Sequence, residues 1–156
     1  MEEADEAPAE PTSHYVKQPL IGIRVVVVDD EADARDSARH ILEHHGAAVW
    51  AATSGEEALA IVNELQPDVL LADLSMPGFD GFALIRCIRM LGGQSARMPA
   101  AAFSALTASN HRQQAQQAGY QGYLEKPVTA DKLTAEVVRL AALVAGSEAS
   151  PQDHAR

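Results

Sequence analysis

Hydrophobic and polar positions along this chain alternate between two kinds of segment. Short, continuous apolar runs are each followed by a longer segment in which apolar residues recur every three or four positions. The short runs are typical of strands buried on both faces, and the longer segments are typical of amphipathic helices. This pairing occurs five times, which predicts an α/β fold with a parallel sheet covered on both sides by helices. The predicted strands are 24–28, 48–52, 69–72, 100–103 and 121–125.

Capping residues, glycines and prolines mark the ends of the predicted helices. Three helices are predicted at about 33–45, 81–91 and 108–118, and glycines close each of them. A fourth helix lies between Ser54, which has the spacing of a capping box with its third following residue, and Pro67. The last predicted helix follows its N-cap at Thr129, and its apolar stripe consists of Leu133, Val137, Leu140 and Val144.

The predicted helix at 108–118 differs from the others because it contains no large apolar residue. Alanine burial alone would anchor it weakly against the sheet, and a small free-energy bias can shift such an element. Two interpretations are open: a helix that is merely exposed to solvent, or a movable surface that transmits a signal.

Composition and charge exclude several classes of protein. The formal charge of −10 argues against nucleic acid as a direct partner, and no apolar run reaches membrane-spanning length. The single cysteine, Cys87, cannot form an internal disulfide, which favours a reducing cytoplasm. Residues 1–19 are acidic and 147–156 are polar, so both ends are predicted to be disordered, with one folded domain at 20–146.

Polar residues follow four of the five predicted strands, at the point where each strand ends. Asp29 and Asp30 follow the first strand, Asp73 the third, Ser104 the fourth and Lys126 the fifth. Because ligands bind beyond the carboxyl ends of the strands in such sheets, these side chains are expected to converge at one edge. Three carboxylates, a hydroxyl and an ammonium group together predict a pocket that binds a cation and accepts a phosphoryl group.

The chemistry of this pocket follows from its charges. Three carboxylates cannot all stay ionised at close range unless a cation is present, and Mg²⁺ prefers oxygen ligands of this kind. We expect Asp30 and Asp73 to be direct ligands and Asp29 to act directly or through water. Asp73, on the central strand of the set, is the predicted nucleophile and would form an acyl phosphate. Lys126 would neutralise phosphoryl charge, and the Ser104 hydroxyl would donate a hydrogen bond to a phosphoryl oxygen.

The same residues, taken in order, resemble the receiver domain of two-component response regulators. The resemblance implies a flavodoxin-like, three-layer (βα)5 fold with a five-stranded parallel sheet of order 2-1-3-4-5. It also adds the backbone carbonyl of Ser75 as a metal ligand, and the lead-in at 20–24 resembles the receivers of hybrid sensor kinases. The residues that carry the resemblance are Asp29-Asp30, Asp73-Leu74-Ser75-Met76-Pro77, Asp80-Gly81, Ser104-Ala105, Tyr123 and Lys126-Pro127.

The function implied by the resemblance is signalling rather than enzymatic turnover. A histidine kinase or a histidine phosphotransfer protein would donate the phosphoryl group to Asp73. Ser104 and Tyr123 would act as the switch, changing a surface formed by the fourth helix, the fifth strand and the fifth helix. The domain would assist its own phosphorylation and dephosphorylation. Leu106, two residues beyond Ser104, is expected either to shield the acyl phosphate or only to pack under the polar helix. Output is expected through a downstream protein, onward phosphotransfer or a parent protein, with no nucleic acid and no membrane insertion.

Alternatives remain for the function and for single residues. An Mg²⁺-dependent phosphatase with an aspartyl nucleophile would need a second aspartate two residues later, where this chain has Ser75. A receiver that is never phosphorylated would act only as a binding module. Asp29 is alternatively a helix cap, Ser104 a loop residue and Lys126 a solvated surface residue, and Tyr123 alternatively only packs.

One further motif is not interpreted as a site. His40 and His44 fit an H-x-x-E-H zinc pattern on one helix. The buried pair of that helix is expected to be Ile41 and Leu42, which would direct both histidines to solvent, and a third ligand is not evident.

Overall fold

A parallel sheet carries at its carboxyl edge the polar residues predicted to form the site. The computed structural model describes residues 18–105 and 109–154, with only the backbone for 109 and 144–154. The three inner strands of the sheet are short apolar runs with side chains buried on both faces, whereas the two edge strands are more exposed. The strands are β1 (Arg24–Val28), β2 (Ala48–Ala52), β3 (Val69–Asp73), β4 (Ala100–Ser104) and β5 (Gly122–Glu125).

All neighbouring strands are parallel, and their order is β2-β1-β3-β4-β5. Val28 pairs with Ala72, so β1 and β3 end side by side and the residues that follow them are neighbours. This confirms the predicted fold class, sheet order and parallel pairing.

Within the described residues, four helices connect successive strands, a fifth follows β5, and one 3₁₀ turn (Ser95–Arg97) precedes β4. The first residue of each helix matches its predicted position within one residue. The last residues of the first four helices match within two. The helices are α1 (Ala32–His44), α2 (Gly55–Leu65), α3 (Gly81–Arg89), α4 (Ser109–Ala118) and α5 (Ala130–His154).

Alternate residues of the strands pack against different helices, which gives the three layers. Val26 and Val28 belong to the apolar cluster beneath α2, α3 and α4, whereas Val25 and Val27 belong to the cluster beneath α1 and α5. The helix α4 contributes little to its cluster, since Ala115 is the one buried residue among its described side chains.

The N-terminus of α2 shows how local sequence fixes a helix start. The Ser54 hydroxyl accepts a hydrogen bond from Glu57 N at 3.2 Å, as the capping-box spacing predicted. The second hydrogen bond of a capping box runs from the N-cap backbone N–H to the later side chain, and here it differs by one residue. The Glu57 carboxylate accepts from Thr53 N at 2.8 Å rather than from the backbone N–H of Ser54.

The last helix is longer than the sequence predicted. Its backbone is helical as far as His154, where a disordered tail was expected from residue 147. This segment contains Gly146, Ser147 and Pro151, which have low helix propensity, and it has no large apolar residue, so neither propensity nor packing explains its helical backbone. The predicted acidic extension at 1–19 lies outside the described residues except for its last two positions. Within the described residues, no helix combines the length and apolar character needed to cross a bilayer.

Candidate functional site

Three carboxylates meet at the carboxyl edge of the sheet. One oxygen from each of Asp29, Asp30 and Asp73 lies within 4.8 Å of the others. Their proximity follows from the pairing of β1 with β3, which places the residues after both strands at one point. Asp29 and Asp73 are 2% and 5% exposed, whereas Asp30 is open to solvent. The cluster therefore has a buried base and an accessible rim.

Lys126 supplies the neighbouring positive charge. Its ammonium group lies 2.8 Å from Asp29 Oδ2 and 3.5 Å from Asp73 Oδ2. Burial works to lower the pKa of Lys126, but the hydrogen bond to Asp29 and the charge of Asp73 outweigh burial, so the pKa is raised. The lysine therefore stays charged between two buried carboxylates.

The environment of Asp73 makes its charged form less favourable than in water while no cation is bound. Burial raises the pKa of Asp73 to about 6, and the Asp29 carboxylate adds to the rise. The backbone N–H of Ser75, 3.1 Å from Asp73 Oδ1, and the charge of Lys126 oppose this rise without cancelling it. One ammonium group is thus not enough to stabilise the full negative charge of this cluster.

Short-range hydrogen bonds fix the loop after β1. Asp29 Oδ1 accepts from Glu31 N at 3.0 Å, a turn that aspartate side chains commonly make. Arg35, on the first turns of α1, donates to the backbone carbonyl of Asp29 at 2.8 Å. Both contacts orient the carboxylate of Asp29 toward the centre of the cluster.

The two predicted switch residues lie on adjacent strands. Ser104 is fully buried at the end of β4, and its carbonyl accepts a hydrogen bond from Lys126 N at 2.9 Å. Tyr123 is half-buried on β5, with the guanidinium of Arg112 on α4 centred 4.7 Å from its ring. Leu106, predicted to shield the phosphate, lies outside the described residues.

Two close contacts of the site were not predicted from the sequence. A Cβ on Gly81 would lie 2.5 Å from the Asp73 carbonyl oxygen, so α3 begins in contact with the strand end. A Cβ on Gly55 would lie 2.5 Å from the ring of Phe79, so α2 supports the loop that follows Ser75. A glycine at the start of each helix was the available signal, but spacing alone does not reveal which backbone it meets.

Tyr120 is the third unpredicted feature. Its side chain is 3% exposed, and its hydroxyl donates to the Gly81 carbonyl at 2.7 Å. In the sequence, Tyr120 stands between Gly119 and Gln121, where it reads as part of a connecting loop.

The donor set fits Mg²⁺. Three carboxylates converge and two of them are buried, so a hard divalent cation would relieve repulsion that Lys126 leaves in place. The zinc-like pair does not form a comparable site: His40 and His44 are exposed on α1, and among the described residues neither belongs to a cluster of three ligating side chains.

Comparison with known families settles the class of protein. The response regulator receiver domain family matches residues 25–138. The chain belongs to this family. Receiver domains are signalling domains with an acidic pocket, so the carboxylate cluster described above is the feature expected of a member.

Curated relatives place this receiver domain among several kinds of protein. It is 40% identical over 123 residues to a 14.6 kDa protein of Leptolyngbya boryana, covering 79% of this chain and 90% of that one. It is 33% identical to the response regulator MprA of Mycobacterium bovis, covering 75% of this chain and 50% of MprA. It is 36% identical to a segment of the virulence sensor protein BvgS of Bordetella pertussis, covering 81% of this chain and 10% of BvgS. The chain therefore spans about half the length of the MprA relative.

Solved structures show the same fold. The chemotaxis protein CheY4 of Vibrio cholerae superposes with a TM-score of 0.72 at 30% identity, covering 76% of this chain and 98% of CheY4. The receiver domain of the Francisella response regulator 1452 gives a TM-score of 0.73 at 28% identity, covering 79% of this chain and 99% of that one. The resemblance of residues 20–24 to hybrid sensor kinase receivers stays a prediction.

Proposed function

We propose that this receiver domain accepts a phosphoryl group on Asp73 and uses it to switch a protein-binding surface. The observation that carries the proposal is the buried position of Asp73 between a second carboxylate and an ammonium group at the sheet edge. Asp73 Oδ1 accepts a hydrogen bond from Ser75 N–H, so Oδ2 is the oxygen that we expect to form the bond to phosphorus.

The phosphoryl donor would be a phosphohistidine of a histidine kinase or of a histidine phosphotransfer protein. The new bond joins Asp73 Oδ2 to phosphorus, while the P–N bond of the donor breaks and the imidazole nitrogen keeps the electron pair. A cavity of about 450 Å³ between α1 and α5 supports such a partner, because its mostly apolar wall reaches Asp29 and Lys126. A partner seated there would present its histidine beside the acceptor.

Metal binding belongs to the same proposal. Asp29, Asp30, Asp73 and the backbone carbonyl of Ser75 would hold Mg²⁺, with Asp29 acting directly or through water. When bound, the ion supplies charge neutralisation for the phosphoryl oxygens. Lys126 would add a second positive charge by moving from Asp29 to a phosphoryl oxygen, and the Ser104 hydroxyl would donate a hydrogen bond to that group.

The output surface would be formed by α4, β5 and α5. The helix α4 has one buried side chain among those described, so a small bias is sufficient to shift it. Tyr123 and Arg112 join this helix to β5 through their ring contact, and β5 pairs with β4, the strand that ends at Ser104. We infer a downstream protein partner at this surface, no contact with nucleic acid, and a cytoplasmic location.

Phosphorylation by acetyl phosphate tests the proposal directly. Wild-type protein, Asp73→Asn and Asp36→Asn would be incubated with acetyl phosphate and Mg²⁺, and the site of modification read by mass spectrometry. Asp36 is an exposed residue of α1 and gives a matched loss of one carboxylate. We expect one labile phosphate in the wild type and in Asp36→Asn and none in Asp73→Asn. A wild type that carries no label would favour the non-phosphorylated binding module.

The phosphatase alternative has no support at the position where it needs an acid. Ser75, two residues after Asp73, is exposed and has no carboxylate. The phosphatase alternative would require steady release of phosphate from small phosphomonoesters, at a rate independent of acetyl phosphate.

A further inference from the structure

Tyr120 is a buried polar residue to which the proposed phosphorylation chemistry assigns no role. It follows α4 and precedes β5, and its ring lies in the apolar cluster beneath α3. Burial raises the pKa of Tyr120 well above its usual value, so the hydroxyl keeps its proton and acts as a donor. Its acceptor is the Gly81 carbonyl at 2.7 Å, on the first residue of α3.

Gly81 is the point where α3 meets the backbone that carries the acceptor. Its N–H donates to the Leu74 carbonyl at 3.3 Å, and a Cβ at this position would lie 2.5 Å from the Asp73 carbonyl oxygen. A displacement of Gly81 must therefore be shared by Asp73 and Leu74. The hydroxyl of Tyr120 thus bonds to a residue that itself contacts Asp73 and Leu74, the two residues before Ser75.

The residues on either side of Tyr120 are also bonded to α3. Arg89, the last residue of α3, donates to the Gly119 carbonyl through two nitrogens at 3.1 and 2.6 Å, and to Gln121 Oε1 at 3.1 Å. The segment 119–121 is consequently bonded to both ends of α3, by Arg89 at one end and by the Tyr120 hydroxyl at the other. This segment is also the C-terminal attachment of α4, since Gly119 N and Tyr120 N both donate to Ala115 O.

We propose that Tyr120 is a positioning residue that couples the loop after β3, with its metal- and phosphate-binding groups, to the C-terminal end of α4. The inference rests on the proposed function for the identity of that loop. In this arrangement the C-terminal end of α4 stays with α3, so a change at Asp73 moves the outward face of α4 by rotation about Gly119. The hydroxyl also pre-organises the Ser75 carbonyl for the cation.

Tyr120→Phe tests the coupling, because it removes one oxygen and keeps the ring in the core. Mg²⁺ binding to unphosphorylated protein would be measured by calorimetry, and hydrogen exchange of α4 would be measured with and without beryllium fluoride. A hydrogen bond contributes about 0.5–1.5 kcal/mol, so we expect the Mg²⁺ dissociation constant to rise roughly two- to tenfold. We also expect beryllium fluoride to lose most of its effect on exchange in α4.

Leu140→Ala is the matched control for a purely structural loss. Leu140 is fully buried in the cluster beneath α1 and α5, on the opposite face of the sheet from Tyr120. It should lower the melting temperature while leaving both the Mg²⁺ dissociation constant and the exchange response at wild-type values.

The outcomes separate this inference from the proposed function. If Tyr120→Phe changes only the melting temperature, as Leu140→Ala does, the hydroxyl is an ordinary core hydrogen bond and the coupling is refuted. If wild-type protein binds Mg²⁺ and responds to beryllium fluoride but is not labelled by acetyl phosphate, the phospho-acceptor function fails. The coupling is then still decided by the ratio of the Mg²⁺ dissociation constants of Tyr120→Phe and wild type. A wild type that does not bind Mg²⁺ would overturn both.

Discussion

The ammonium group of Lys126 lies closer to Asp29 than to Asp73, at 2.8 Å against 3.5 Å. In the sheet, β5 is separated from β1 by two strands, so this lysine spans the carboxyl ends of β3 and β4 to reach its partner. Before phosphorylation its main role is therefore to neutralise a buried carboxylate. Its proposed movement to a phosphoryl oxygen would release Asp29 toward the cation.

Lys126→Met should destabilise the protein in Mg²⁺-free buffer. The substitution leaves Asp29 and Asp73 buried without their ammonium partner, and hydrogen bonds to charged groups contribute roughly 1.5–3 kcal/mol. Denaturant unfolding would measure the change in the free energy of unfolding. Lys132→Met, on the exposed first turn of α5, removes the same charge and should change that free energy by less than about 0.5 kcal/mol. Equal effects would mean that net charge, rather than the contact, matters.

Asp73→Asn should abolish phosphorylation and yet raise stability without Mg²⁺. An amide is a poor nucleophile, so labelling by acetyl phosphate stops. The amide also removes one of two buried like charges, so the melting temperature in Mg²⁺-free buffer should exceed that of the wild type. Labelling of the variant at the wild-type rate would show that another residue is the acceptor.

Mg²⁺ should raise the melting temperature of the wild type, and Asp30→Asn should remove most of that rise. A ligand that binds only the folded state stabilises it by RT ln(1 + L/Kd), where L is the free ligand concentration, so the rise grows with ligand concentration and with affinity. Asp30 is exposed, so its loss should cost little stability by itself. Asp36→Asn, with the same change in charge on the surface of α1, should keep the full Mg²⁺ effect. Loss of the effect in both variants would indicate diffuse binding to surface charge.

The stability of Mg²⁺-free protein should depend on pH through Asp73. Its folded-state pKa of about 6 lies above the ordinary value of 3.8, so the folded state binds the proton more tightly than the unfolded state does. The contribution of this group to the free energy of unfolding therefore falls as pH rises from about 4 to 6 and is constant above that window. The stability advantage of Asp73→Asn over wild type should grow across the same interval, as urea unfolding at each pH would show. An advantage that does not vary with pH would contradict the raised pKa.

The same protonation should weaken Mg²⁺ binding in acid. Because a ligand carboxylate must be deprotonated, the apparent affinity should fall by up to roughly tenfold for each pH unit below about 6. Calorimetric titrations between pH 5 and 8, a window bracketing the pKa, would measure it. A constant affinity across this range would place the cation away from Asp73.

The sheet and the carboxylate cluster could be predicted because they depend on local patterns. Val25–Val28 can only be a strand buried on both faces, and the residues that follow such strands must meet at one edge. No local pattern in the sequence predicts the contacts between segments that are far apart in the chain. Tyr120 and Gly81 are 39 residues apart, and nothing near either residue indicates that a hydroxyl meets a carbonyl there.

Two other differences have a similar origin. The capping-box spacing of Ser54 and Glu57 predicted the right helix start, but the backbone conformation before the helix decided that Thr53 receives the carboxylate. The end of α5 was placed at residue 146 because the apolar stripe stops there. A helix does not need that stripe to continue, since its backbone hydrogen bonds are local.

The sparse anchoring of α4 has a consequence for how this domain can diverge. Seven of its side chains are exposed or half-exposed polar groups, Asn110, His111, Arg112, Gln113, Gln114, Gln116 and Gln117. Substitutions at the exposed amides among them, Asn110 and the four glutamines, should change the free energy of folding little, because these side chains are exposed. The surface proposed for a partner can thus be rewritten by mutation while the carboxylates and lysine at the sheet edge stay as they are. Specificity and chemistry would then be inherited on separate elements of one small fold.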